Sequence, residues 1–251
     1  MGNDRYVIKR YGHKITNTTN PGQNEVNKKL EIYYAQKTFV SVSIKHPWFI
    51  ETEKNEHLWR LKEFTKWLFS KYAHISFFIA DSLHRYNINL NAINSDNNFV
   101  KAIEIGELQR KIILDVIKEI DIQDNRYEFI TSSDIFLNKD FKSILESVQK
   151  YFSNDDTFRD AIIKSAEDYW YRKYKDGFCY LSQQHDITSS TSFIIEEIAY
   201  FTFMSKILEY KTNIYPGDFL FVFRSIDFKK YSELSDLANQ NFQTVKIKKK
   251  L

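Results

Sequence analysis

Three side chains of this chain could do chemistry together. Ser43 closes the apolar run Phe39-Val40-Ser41-Val42-Ser43, Glu197 lies in Phe193-Ile194-Ile195-Glu196-Glu197, and Tyr215 precedes Pro216-Gly217. A serine hydroxyl at a strand end could serve as a nucleophile and a carboxylate in apolar surroundings could recognise an ammonium group, whereas a tyrosine before Pro-Gly is common as a purely structural turn. A lone serine is a weak nucleophile unless a neighbour takes its proton or a developing oxyanion is stabilised. Taken alone, Ser43 reads more often as an ordinary strand-end hydroxyl bonded to backbone. Ser41, two residues earlier, shares its strand face and is a rival nucleophile. Neighbouring helical carboxylates point about 100° apart, so only one of Glu196 and Glu197 can face a common pocket. Both could also reach solvent or pair with a lysine. Proline and glycine fix the turn after Tyr215.

Other chemistries find no support. No Gly-x-Ser-x-Gly elbow surrounds a serine, so the α/β-hydrolase arrangement is excluded. The six histidines show no metal-ligand spacing with cysteine or acids. Gly-x-Gly-x-x-Gly and P-loop motifs are absent, as are the His-x-Gly-His and Lys-Met-Ser-Lys-Ser signatures of class I aminoacyl-tRNA synthetases. Neither a metal nor a cofactor is expected.

The elements that must position these residues follow from periodicity. Thr38–Ser43 and Ile75–Ala80 are short apolar strands, and residues 56–72 between them carry Leu58, Leu61, Phe64, Leu68 and Tyr72 at helical spacing. Strand, helix, strand is a βαβ unit and implies a parallel sheet. A helix is expected over 99–120, a strand over Tyr127–Thr131, and helices over 138–152 and 156–173. Residues 178–190 read as a loop, 191–208 as an apolar helix carrying the two glutamates, and Asp218–Arg224, with Phe219, Phe221 and Phe223 alternating, as a last strand. The fold class is α/β, a single open and mostly parallel sheet wrapped by helices.

At 251 residues with six glycines and three prolines, the chain suits one large domain and leaves little room for a linker. Residues 1–30 read as a polar N-terminal segment, 31–240 as the catalytic domain and 241–251 as a basic tail in solvent. A single cysteine, Cys179, excludes an internal disulfide. No apolar run reaches the roughly 18–20 residues of a membrane span, and the N-terminus lacks a secretory apolar core; a cytoplasmic soluble protein is the expectation. A net charge of +3 is compatible with an RNA partner without being evidence for one.

Taken in order, these segments resemble the cyclodipeptide synthases, in the subfamily with Tyr-Pro at the last motif. The likeness runs over roughly residues 36–224. It includes the strand ending in Ser43, the aromatic pair Trp48-Phe49, the run Asp81-Ser82-Leu83-His84-Arg85-Tyr86, and Phe158-Arg159-Asp160 ahead of the glutamate helix. The resemblance implies a Rossmann-like domain similar to the catalytic domain of class I tyrosyl- and tryptophanyl-tRNA synthetases. It implies that two aminoacyl-tRNAs are joined into a cyclic dipeptide by ping-pong covalent catalysis. Ser43 would be the nucleophile, Glu197 would bind the α-ammonium group, and Tyr215 would assist proton transfer. Phe39, Ser41, His46, Phe193, Tyr200 and Asn213 would line the substrate site, and Lys101, Arg110, Lys111 and Lys118 would meet tRNA. The implied protein is a monomer without DNA or membrane partners.

The chain departs from the family's pattern at Ser41, where glycine is usual, at His46, and at Phe193, where a tyrosine is usual. Two other readings stay open: a non-catalytic RNA-binding module on a degenerate synthetase-like fold, and a serine hydrolase of aminoacyl esters.

Overall fold

The computed structural model describes residues 6–13, 37–42, 55–88, 96–174, 184–216 and 222–249. In chain order the elements are β1 (Tyr6–His13), β2 (Thr38–Val42), α1 (Asn55–Lys71), β3 (Ile75–Ile79), α2 (Arg85–Ile88), α3 (Asp96–Glu119), β4 (Tyr127–Thr131), α4 (Ser132–Phe136), α5 (Lys139–Asn154), α6 (Asp156–Tyr174), α7 (Gln184–Lys206), β5 (Thr212–Pro216), α8 (Val222–Ser225), α9 (Ser235–Asn239) and β6 (Asn241–Lys249).

The six strands form one sheet in the order β1-β6-β5-β2-β3-β4. Five run parallel, and β1 closes the edge antiparallel to β6. From β2 the chain builds outward through β3 to β4, then returns past β2 to lay β5 and β6 on the other side. The direction of building therefore reverses between β2 and β5. In open α/β sheets that reversal opens a crevice beyond the carboxyl ends of the strands, where ligands bind.

Because successive strand residues face opposite sides, the sheet divides two cores. Val40, Phe77, Ile79 and Ile214 pack against Leu61, Phe64 and Leu68 of α1 and Ile113, Val116 and Ile117 of α3. Phe78 and Phe242 pack on the other side against α5, α6 and α7, where Phe141, Ile144 and Val148 of α5 repeat at helical spacing. Tyr200 of α7 stacks on Phe141 at 4.3 Å between ring centroids, and Phe201 on Phe223 at 5.2 Å. Burying each such ring stabilises the fold by about 1.5–3 kcal/mol.

Several segments differ from the sequence reading. Val222–Ser225 is helical and not part of a strand; the alternating phenylalanines mimic strand period, yet Val222 and Phe223 are buried by one helical turn that docks on α6, where Val222 N donates to Ser165 Oγ, with the Phe223 ring against Phe201 of α7. The remainder of that expected strand lies outside the described residues. Residues 241–249, read as a basic tail, form β6, with Val245 and Ile247 alternating with lysines, and residues 6–13 of the polar N-terminal segment pair with it. Lysine content conceals a period of two. The glutamate helix also begins earlier, at Gln184, inside the expected loop.

Candidate active site

Where β2 and β5 meet, the structure brings together three of the residues the sequence singles out, Ser41, Asn213 and Tyr215. Ser41, on β2, is 7% exposed and Asn213, on β5, is fully buried. Ser41 Oγ donates to Asn213 Oδ1 at 2.9 Å. That bond orients the amide, and Asn213 Nδ2 has no partner among the described residues. Tyr215 follows two residues on, on the same strand face as Asn213. Ser43 and His46 lie outside the described residues, as does the side chain of Phe39.

Across the crevice stands α7. Ile194, Ile195, Ile198 and Ala199 are buried, and so are both carboxylates, Glu196 at 5% and Glu197 at 4% exposure. The two carboxylates have opposite surroundings. Glu196 accepts from both terminal nitrogens of Arg85, one at 3.0 Å, and from Tyr86 Oη at 2.7 Å. Glu197 has an Oε2 with no partner among the described residues, and burial pushes its pKa up to about 8. The Tyr215 phenol is raised above its ordinary range by burial, then by the charges of Glu197 and Tyr169, so it remains a proton donor. A buried carboxyl without a counter-charge beside a protonated phenol favours a cationic ligand, because burying an unpaired charge is costly until an opposite one arrives.

The remaining candidates sit elsewhere. Phe193, one turn before Glu197, has its ring 5.2 Å from that of buried His84. Tyr200 does not offer its hydroxyl to the Ser41–Asn213 pair; Oη donates to Ser132 O at 3.1 Å and bonds Ser82 Oγ at 3.3 Å. Those serines belong to a knot around Asp81 at the end of β3. Its carboxylate accepts from Ser82 N, Ser132 Oγ, Ser133 N and Ser133 Oγ at 2.6–2.9 Å, which binds the ends of β3 and β4 together. Lys101, Arg110, Lys111 and Lys118 are exposed along α3. Arg110 lies over Phe129 at 5.5 Å and 3.8 Å from Glu107.

Sequence reasoning quoted Arg85 and Tyr86 in a motif but gave them no role. Their signal, a basic and an aromatic residue just past a strand end, acquires meaning only once α7 is docked. Among the described residues no three His, Cys, Asp or Glu side chains cluster to hold a metal ion, and no helix is long and apolar enough to cross a membrane.

Solved structures share this fold. A cyclodipeptide synthase from Fluoribacter dumoffii superposes with a TM-score of 0.70 at 14% identity, covering 97% of this chain and 100% of the other. A Mycobacterium tuberculosis protein whose structure relates cyclodipeptide synthetases to type I tRNA synthetases superposes with a TM-score of 0.64 at 14% identity, covering 98% and 94%. The cyclodipeptide synthase of Streptomyces noursei gives 0.59 at 9% identity over 84% and 95%. At these identities the likeness shows the fold, a mostly parallel α/β sheet wrapped by helices. No curated protein matches in sequence. Residues 52–246 match the cyclodipeptide synthase family. The chain belongs to that family and is an aminoacyltransferase.

Proposed function

We propose that the protein joins two aminoacyl groups from aminoacyl-tRNAs into a diketopiperazine through a covalent intermediate on Ser43, and that it belongs to the Tyr-Pro subfamily. The observation that carries this reading is Glu197, a buried carboxyl with an unpartnered oxygen, close enough to Tyr215 to perturb its ionisation, at the crevice where the sheet reverses. Ser43 Oγ attacks the ester carbonyl of the first substrate. The Oγ–carbonyl bond forms, the bond to the tRNA ribose oxygen breaks, and that oxygen leaves with a proton. The amine of the second aminoacyl-tRNA then attacks the aminoacyl-Ser43 ester, forming an amide and freeing the serine oxygen. Transfer of the dipeptidyl group back to Ser43 releases the second tRNA, and closure by the remaining amine yields the ring. Activated esters become amides, so the sequence needs no ATP. Glu197 holds the ammonium of the first aminoacyl group, and Tyr215 gives or receives protons as amine and alkoxide change charge. Purified enzyme with charged tRNA should yield a diketopiperazine mass. Free amino acid alone would indicate an ester hydrolase, and unchanged charged tRNA a non-catalytic RNA-binding module.

The tRNA surface is assigned to α3. Its four basic residues are matched by Glu104, Glu107, Asp115 and Glu119, so few phosphates are neutralised and the salt dependence should be shallow. Reversing charge at Lys111 and Lys118 should raise KM for charged tRNA several-fold while leaving acylation by a small activated aminoacyl ester unchanged. Unaltered KM would move the docking surface off α3.

The product should contain at least one polar or small residue. Ser41 and Asn213 place a hydroxyl–amide pair in the crevice, with Asn213 Nδ2 lacking an acceptor. Leaving such a donor buried against an apolar substrate costs about 1–3 kcal/mol, enough to disfavour leucine or phenylalanine. Mass spectrometry of culture medium showing mainly cyclo(Leu-Leu) or cyclo(Phe-Leu) would contradict this.

A further inference from the structure

Two adjacent glutamates on a helix that is apolar on nearly every side pose a problem of rotation. Turning α7 by one residue, about 100°, would exchange Glu196 and Glu197, and hydrophobic packing discriminates poorly between two such positions because the helix has no solvent face to keep outward. The surroundings of α2 resolve the ambiguity. Arg85 grips Glu196 with a two-nitrogen fork, and Tyr86 Oη adds a third bond to the same carboxylate. Arg85 is itself held by Ser82 O at 2.8 Å and lies over the rings of Tyr86, at 4.3 Å, and Phe136, at 5.1 Å. A second tie comes from Ser189, whose hydroxyl donates to the backbone oxygen of Tyr86. Ser189 and Glu196 are two turns apart on one stripe of α7, so two anchors on a single edge fix its rotation against α2.

The clamp also isolates charge. Arg85 neutralises Glu196, while Glu197 is left without a counter-ion among the described residues. We infer that Arg85, Glu196 and Tyr86 form a positioning clamp for the reaction, holding α7 at the rotation that presents Glu197 to the substrate amine. None of the three needs to touch substrate. The inference rests on the reading of Glu197 as the amine-binding group.

The test compares the first half-reaction, acylation of the enzyme followed by intact mass, for an aminoacyl-tRNA and for the α-hydroxyacyl-tRNA made from it by nitrous acid deamination. The second substrate has no amine for Glu197 to hold. Wild type should react faster with the aminoacyl ester. In Arg85→Gln and in Glu196→Gln the aminoacyl rate should fall about tenfold to a hundredfold, the loss typical of a misplaced group near the reaction. The hydroxyacyl rate should stay within about threefold, which also reports that the variant is folded. The double variant should be no worse than the more severe single one, as expected of residues acting as a unit. Glu196→Gln, which preserves side-chain shape, carries the test if Arg85→Gln does not fold. A wild-type preference for the amine retained in either folded variant, or an equal fall with both esters, would overturn the clamp alone. A wild type that reacts with neither ester would overturn the functional reading and the clamp with it.

Discussion

Ser43→Ala should abolish product formation, by at least about three orders of magnitude, because on the proposed reading the acyl chain is carried on this hydroxyl between the two tRNAs. Loss of one hydroxyl changes stability by only about 1 kcal/mol, so the variant should melt close to wild type. Wild type incubated with charged tRNA should gain the mass of one aminoacyl group, and Ser43→Ala should not. Ser41 is the rival nucleophile, and its surroundings argue against it: its hydroxyl hydrogen goes to Asn213 Oδ1, an amide oxygen too weakly basic to take up the proton. An adduct that persists in Ser43→Ala and disappears in Ser41→Ala would transfer the role.

Glu197→Gln should be the other severe change. On the proposed reading the substrate ammonium completes a buried ion pair with Glu197, and removing one member of such a pair costs roughly 3–5 kcal/mol, a hundredfold or more in kcat/KM at about 1.4 kcal/mol per decade. The loss should fall on aminoacyl substrates and spare the α-hydroxyacyl ester. The same substitution has a signature in stability. Burial raises the folded-state pKa of Glu197 to about 8 from an ordinary value of 4.5. Between those values the folded protein holds a proton that the unfolded chain has released, so the contribution is fully present below the lower value and is lost as pH rises toward the upper one. Glutamine carries no such dependence. Thermal melts of wild type should decline more steeply than those of Glu197→Gln from about pH 5 to about pH 8, and the variant should be the more stable at the alkaline end. Parallel melting curves would mean that the carboxyl is not held as a buried acid.

Much of the parallel sheet was legible because its central strands are short apolar runs with turns at either end; Thr38, Ile75 and Tyr127 each begin a strand where the sequence pattern begins one. The outer strands were not. In β6 lysines alternate with Val245 and Ile247, and charge content conceals the period. In β5 the Pro-Gly pair after Tyr215 draws attention to a turn and away from the strand before it. Three alternating phenylalanines suggested a strand that α8 replaces in part, since one helical turn can bury Val222 and Phe223 equally well. At the site, helix geometry limits the glutamates to one per pocket, but the choice between them depends on Arg85, 111 residues away in sequence. Pairing across that distance is a property of the docked helices and leaves no local periodicity to read.

Gly106 lies midway along α3, and a methyl group there would come within 2.5 Å of Asp81 Cβ and 3.4 Å of Ile79 Cγ2. The helix axis is therefore pressed against the end of β3 at a separation that only a residue without a side chain permits. Asp81 is the centre of the knot that joins β3 to β4, so the neighbour cannot give way cheaply. With 24 residues, about 36 Å of helix, α3 behaves as a rigid gauge bolted at its middle. A nucleic acid lying on its outer side would be held at a set offset from the crevice, and its acceptor end would need one particular reach to deliver the ester. Substrate selection would then begin with length, before any side chain of the amino acid is felt.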